Sequence, residues 1–362
     1  MSASPDQPSN RPARIIGGLT VVVLVAAVAF MTVGVKGNWN FVLPFRGAKL
    51  AALVLVAYAI AVSTVLFQTV TANRILTPAL MGLDALYQLT QTSLIFMIGT
   101  VGVAALDPQG MFLAQCAVMT GFSCLLYQSL FSGRLQSLHL VLLVGLVIGV
   151  LFRSLSNLLQ RIMAPNEFIV LQDLLFANFN TVNSDVLMIS GIAVLGVTLL
   201  GIRHLATFDV LALGRETAIS LGVDYKRAVI QVLILVSVLV SVATALVGPV
   251  TFFGLLVASL AYQITGSPKH RHVLPVAVLL AIATLVIGQM VLERVFSFDT
   301  ALSIIIEFAG GIAFIFLMRS SLGCLRPERK RSSATGASVR SANVRAIRFS
   351  LHRSQASAAR AR

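Results

Sequence analysis

Long apolar stretches separated by short polar segments follow one another along the chain up to about residue 320. A helix needs about 20 mostly apolar residues to cross a bilayer, and most of these stretches come close to that length. Several carry glycine, serine or threonine in their middles, which lets helices pack closely. The pattern predicts an all-α polytopic membrane protein of about ten transmembrane helices, at roughly 15–35, 48–71, 83–104, 111–131, 137–157, 184–203, 228–247, 250–265, 273–293 and 300–318.

Composition agrees with a membrane domain. The 362 residues are 57% hydrophobic and 11% charged, whereas about a quarter of the residues in a soluble domain are charged. The cysteines Cys116, Cys124 and Cys324 lack the close spacing of metal ligands, so we interpret them as small apolar residues without a disulfide framework. No metal site is expected.

The distribution of lysine and arginine predicts the orientation in the membrane. Of the 27 basic residues, eleven fall in loops on the side of the N-terminus, six on the opposite side and ten in the C-terminal tail. Because cytoplasmic loops carry the excess of lysine and arginine, both termini are expected in the cytoplasm. The predicted organisation is a cytoplasmic segment 1–14, a transmembrane domain 15–320 and a basic tail 321–362.

The tail has ten basic residues and one acidic residue from Arg326 onward and no apolar period. We expect it to be disordered and solvated. Contact with anionic lipid is a weaker alternative, and no nucleic-acid partner is expected.

A polar island interrupts the apolar pattern between the sixth and seventh windows. In residues 207–222, Thr207 and Asp209 are suited to cap a short helix, Gly214 to break it, and Gly222 to end a second one. Two short helices with charged faces predict a docking surface for a cytoplasmic partner. An amphipathic segment lying on lipid explains the same spacing equally well.

The stretch "LALGRETAISLGV" resembles the cytoplasmic coupling loop of the FecCD-type family, the permeases of iron-chelate ABC importers. Three further stretches resemble the family in the same order: 65–87, 245–257 and 308–319. Local departures from the family pattern, such as Ile312 where the family often has proline, are typical of a subgroup. "LMGLDALYQLTQT", "LLFANFNTVNSD" and "GQMVLERVFSFDT" are similar to permeases for ferric siderophores, notably catecholate or petrobactin types.

The resemblance implies a permease of ten helices that pairs with itself or a paralogue, the latter being favoured. A cytoplasmic ATPase would use the ATP, a periplasmic or lipid-anchored protein would deliver the ferric siderophore, and this chain would bind no cofactor and catalyse no reaction. Most of the following residues are assigned to three roles by their match to the family's motifs, whereas Asp209, Arg215 and Glu307 are assigned by their positions in the sequence. ATPase coupling falls to Asp209, Leu213, Gly214, Arg215, Glu216, Ala218, Leu221 and Gly222; binding-protein docking to Arg46, Lys49 and, by its position, Arg294; the translocation path and its helix packing to Gln68, Asn73, Pro78, Gly82, Gly248, Pro249, Gly254, Glu307, Gly310 and Gly311.

The residues leave other classes open. A G-x-x-x-x-G-K-[ST] phosphate loop is absent from the sequence, so uphill transport needs a partner ATPase or an ion gradient. A gradient-driven carrier normally needs ionisable groups inside the membrane, and among Glu307, Asp84 and Glu293 only Glu307 falls well within a window. A membrane enzyme is less favoured, since the H-E-x-x-H and G-x-S-x-G motifs are absent. His270 and His272 flank Arg271 and are expected to be solvated.

Overall fold

The computed structural model describes residues 11–34, 39–131, 138–180 and 182–295, together with residues 302, 304, 308 and 310–312. The described residues up to Gly310 form one compact unit; of the second unit, from Gly311 on, the described residues 311 and 312 are helical. The α-helices of the described ranges are α1 Arg11–Thr32, α2 Trp39–Thr71, α3 Leu83–Ala104, α4 Pro108–Phe131, α5 Leu138–Ile162, α6 Pro165–Leu175, α7 Ser184–Arg203, α8 Leu205–Leu211, α9 Arg215–Ser220, α10 Tyr225–Val247, α11 Phe253–Thr265 and α12 His270–Arg294.

Nine of the ten predicted windows coincide with helices, and the tenth lies mostly outside the described residues. Seven helices of the described part are long and apolar enough to cross a membrane: α1, α2, α4, α5, α7, α10 and α12. The all-α membrane fold is thus established, while the count of about ten spans stays a prediction.

Three helices differ from the sequence pattern. The helix α2 begins at Trp39, nine residues before the predicted window, so Arg46 and Lys49 lie inside it rather than in a loop. The helix α3 has the predicted bounds but is broken at Gly99, whose φ of 71° and ψ of 170° are not helical. The eleven-residue α6 was not predicted.

The core forms around α10, α2 and α12. Residues Val229, Leu233 and Val236 of α10 are fully buried, as are Leu53 and Val56 of α2. The helices α2 and α12 lie antiparallel, because Lys49 contacts Glu293 and Thr69 contacts His270. These two contacts mark the Lys49 end and the His270 end of the helix pair.

The helix α11 packs very closely on the middle of α2. A Cβ atom on Gly254 would lie 2.2 Å from Thr64 Oγ1 and 3.1 Å from Ile60 Cγ2. Real Cβ atoms essentially never lie within 3.0 Å of another heavy atom, so a larger residue than glycine would force Thr64 or the helix to shift. The packing role predicted for Gly254 fits this contact.

Candidate coupling and docking sites

The polar island between α7 and α10 folds as two short helices, as its spacing predicts. The helix α8 ends at Leu211, and Gly214, with φ of 96°, separates it from α9. The prediction of its cap was wrong. The N-cap residue is His204, without a side-chain hydrogen bond, and Thr207 and Asp209 lie inside the helix.

The end of α9 is closed by Gly222. Gly222 N–H donates to Ile219 O at 3.0 Å, and Val223 N–H donates to Ala218 O at 3.1 Å. This pair of bonds is the Schellman motif, in which the residue after the C-cap adopts a left-handed conformation that favours glycine. The φ of 83° at Gly222 meets that requirement.

The α8–α9 segment has a buried side and an exposed side. Phe208, Leu211 and Ala218 are buried. Arg215 and Glu216 are exposed, and so are three large apolar side chains: Leu213 at 60%, Ile219 at 53% and Leu221 at 59% exposed. We call the exposed set, Leu213, Arg215, Glu216, Ile219 and Leu221, the coupling face. Sequence reasoning missed Ile219, although a large apolar residue within the polar stretch 215–220 was the available signal.

Asp209 has a partner within the chain. Its Oδ1 accepts a hydrogen bond from the backbone N–H of His270 at 2.8 Å and lies 2.7 Å from His270 Nδ1. The other ring nitrogen, Nε2, lies 2.7 Å from Thr69 Oγ1. The expectation that His270 is solvated was therefore wrong: it is 1% exposed. Burial raises the pKa of the Asp209 carboxyl, but the His270 backbone and ring and the nearby Lys269 outweigh it and lower that pKa.

The predicted docking cations are all engaged inside the chain. Lys49 is 6% exposed, and its Nζ lies 2.7 Å from Glu293 Oε1. Arg46 Nη1 donates to the carbonyls of Phe30 at 2.8 Å and Val33 at 3.0 Å. The exposed Arg294 donates to the same Val33 carbonyl. Two arginines thus satisfy carbonyl groups at the C-terminal end of α1, where a positive charge is favoured.

The predicted path residues fall into separate places. Gln68 Nε2 donates to Arg74 O at 2.8 Å, and Asn73 Oδ1 accepts from Ile75 N–H at 2.9 Å, so both order the chain after α2. Gln68 Oε1 is buried and has no hydrogen-bond partner among the described residues. Pro78 begins and Gly82 ends a short 3₁₀ helix, which contacts α5 at Gly145 and Gly149.

The other predicted path residues lie elsewhere. Gly248, with Pro249 next to it, contacts Phe176, and Gly310 lies near Leu256. Glu307 lies outside the described residues.

The chain is similar to known proteins over most of its length. The model of the FecCD transport family matches residues 18–320. The chain belongs to the FecCD transport family. The family predicted from the four motifs is therefore confirmed, and this FecCD permease is a multi-pass membrane protein of a transport system.

Two curated relatives share much of its length. The petrobactin import system permease protein YclO of Bacillus subtilis is 46% identical over 302 residues, covering 82% of this chain and 96% of that protein. The petrobactin import system permease protein FatC of Bacillus anthracis is 37% identical and covers 75% of this chain and 77% of its own. Both carry the substrate name of the predicted subgroup.

The fold also has a solved counterpart. An ABC transporter of metal-chelate type in an inward-facing conformation superposes with a TM-score of 0.75, covering 85% of this chain and 99% of that chain. The identity is 21%, so this likeness concerns the fold.

Proposed function

We propose that this chain is the membrane-spanning permease subunit of a bacterial ABC importer for ferric siderophores, with petrobactin as the first substrate to test. The observation that carries the proposal is the match over residues 18–320 to a transport family, together with two petrobactin permease relatives. The permease would sit in the cytoplasmic membrane with both termini in the cytoplasm, as the excess of lysine and arginine on that side predicts.

ATP hydrolysis would be carried out by a separate cytoplasmic subunit that docks on the coupling face. Large apolar side chains exposed on a polar segment between membrane helices mark a surface that a partner covers. The exposed charged residues Arg215 and Glu216 lie on the same segment as these apolar side chains, and protein interfaces typically combine apolar and polar residues. The buried side of the segment packs on the protein, so this arrangement fits a docking surface better than a helix lying on lipid.

A binding protein would deliver the siderophore at the Lys49 end, on the outer side of the membrane. Of the three predicted cations, we assign this docking to Arg294, which is exposed. We do not assign it to Arg46, which is half-buried and donates to the carbonyls of Phe30 and Val33. We no longer assign it to Lys49, because a buried ammonium bonded to Glu293 is poorly placed to meet a partner's carboxylate. The transport path would form between this chain and a second permease subunit.

Uptake into vesicles tests the proposal directly. Ferric petrobactin labelled with radioactive iron is supplied to vesicles containing the permease pair, with the ATPase and the binding protein each added or withheld. Uptake that requires both and survives a proton uncoupler supports the importer. Uptake that proceeds without the ATPase and collapses with the uncoupler would establish a gradient-driven carrier instead.

A further inference from the structure

We propose that Asp209, His270 and Thr69 form a mechanical link through which displacement of α8 is passed to α2 and α12. We call these three side chains the inner link. The inference rests on the proposed function and adds to it a set of positioning residues, distinct from the coupling face that touches the ATPase.

The inner link joins three helices through one imidazole ring. A carboxylate only accepts hydrogen bonds, so His270 donates to it from Nδ1, at 2.7 Å, and from its backbone N–H, at 2.8 Å. On the opposite edge of the ring, Nε2 faces Thr69 Oγ1 at 2.7 Å. Both ring nitrogens are thus engaged, and the ring cannot turn without breaking a contact to α8 or to α2.

The link also fixes α8 to the first turn of α12. The first N–H groups of a helix have no partner within the helix. Asp209 of α8 supplies such a partner, because its carboxylate accepts a hydrogen bond from the backbone N–H of His270, the first residue of α12. Phe208, the neighbour of Asp209 in α8, packs edge-on against the same ring with centroids 6.2 Å apart. Two adjacent residues of α8 therefore hold one buried side chain.

The helix α8 depends on these contacts because it has little support of its own. It contains seven residues and has no side-chain cap at its N-terminus, and isolated helices of that length are unstable in water. The segment around α9 presents the coupling face, whereas α8 carries the residue that bonds to His270 of α12. A push on α9 would move α8, and α8 would carry the N-terminus of α12 and the end of α2 with it.

The two helices that receive the movement extend across the whole bundle. From Thr69 back to Lys49, α2 rises about 30 Å at 1.5 Å per residue, which matches the thickness of the apolar core of a bilayer. At that far end, α2 and α12 are joined again by Lys49 and Glu293. A displacement at the inner link would thus reach the opposite face through two helices fixed to each other at both ends.

The test is the number of ferric siderophore molecules imported per ATP hydrolysed, in vesicles containing the complete transporter. The variants are D209A, D209N, H270Q and T69V. We expect D209A to lower this ratio about fivefold or more, at the lower end of typical coupling between sites, with ATPase activity and complex assembly retained. D209N keeps one acceptor oxygen and should lie between D209A and the parent.

H272N is the matched control for the histidine variant, since His272 is a half-buried histidine in the same turn and is not part of the link. A double variant, D209A with H270Q, should lower the ratio no further than D209A alone, because both changes break the same link. A purely structural role would reduce the amount of folded complex and leave the ratio per complex unchanged.

The outcomes separate the link from the proposed function. If the parent complex imports no ferric siderophore with ATPase and binding protein present, the proposed function fails. If the parent imports and D209N and T69V, as folded complexes, keep the parent's ratio, the link is wrong. Multiplicative effects of D209A and H270Q would also overturn it, since independent residues do not form one link.

Discussion

The two ends of the α2–α12 pair are both joined by polar side chains, yet they differ in how deeply those side chains are buried. At the Lys49 end, Lys49 and Glu293 are 7% and 12% exposed at their side chains, and Gln289, 1% exposed, donates to Glu293 at 3.0 Å. At the His270 end, the histidine is buried, but the side chain of Asp209 is 40% exposed.

The difference in exposure determines which contacts can respond to a partner. A buried ion pair cannot lose one member without leaving an uncompensated charge, so the Lys49 end is fixed. A half-exposed carboxylate can exchange its partner for water at a modest cost. The attachment of α8 at the His270 end is therefore the weaker of the contacts, while the buried contacts Thr69–His270 and Lys49–Glu293 hold α2 and α12 together.

Removing one partner of the buried pair should have the largest effect. We expect K49M to lower the free energy of unfolding by about 3–5 kcal/mol, because Glu293 is left charged and buried. Replacing both residues, as in K49M with E293M, should restore most of this loss, since well-packed apolar pairs replace buried ion pairs at little cost. Denaturant titration in mixed micelles measures both. A double variant no more stable than K49M would show that the pair is not the source of the loss.

The second-largest loss of stability is expected at Gly254, which contacts α2 about halfway between the two ends. G254A places a methyl group against Thr64 and Ile60 of α2, and overpacking of this kind costs about 1–3 kcal/mol. The same titration measures it. G196A is the control, because a Cβ there meets no atom within 4 Å. The second variant G254A with T64S, which retains Oγ1 next to the new methyl group, should not recover the loss. Equal stability of G254A and the parent would contradict the close packing.

The helices were largely predictable from the sequence, because a membrane span must be a continuous apolar run of known length. The beginning of α2 could not be predicted, since Asn40, Arg46 and Lys49 interrupt the apolar pattern while the helix continues. Gly214 and Gly222 predicted the breaks around α9 correctly, because left-handed residues favour glycine wherever the chain must turn.

The partners of the charged residues could not be predicted, since they join distant parts of the chain. Asp209 and His270 are 61 residues apart, and Lys49 and Glu293 are 244 apart. Neighbouring lysine and arginine made His270 look solvated. Its helical spacing with Val273 and Ala277, both fully buried, was the signal that it lies on the inner face of α12.

Breaking the His270 end should cost less stability than breaking the Lys49 end. We expect D209A to lower the free energy of unfolding by roughly 1 kcal/mol, which is less than the about 1.5–3 kcal/mol of a hydrogen bond to a charged group, because water screens the half-exposed carboxylate. Its effect on transport should be much larger than its effect on stability. The comparison of D209A with K49M, each measured for unfolding and for import, checks this. A loss for D209A as large as that for K49M would show that both ends are equally fixed.

The smallest effect concerns Arg46, next to the Lys49 end. R46M keeps the apolar stem but removes the charge from the carbonyls at the end of α1, which should cost about 0.3–1 kcal/mol. Because Arg46 is engaged with Phe30 and Val33, the affinity for the binding protein should change less than about twofold, which corresponds to about 0.4 kcal/mol. R294M, at the exposed arginine, is the matched variant and should weaken that affinity more. Binding of the binding protein to the transporter in nanodiscs distinguishes the two arginines. A tenfold loss of affinity in R46M but not in R294M would show that Arg46, and not Arg294, is the docking residue.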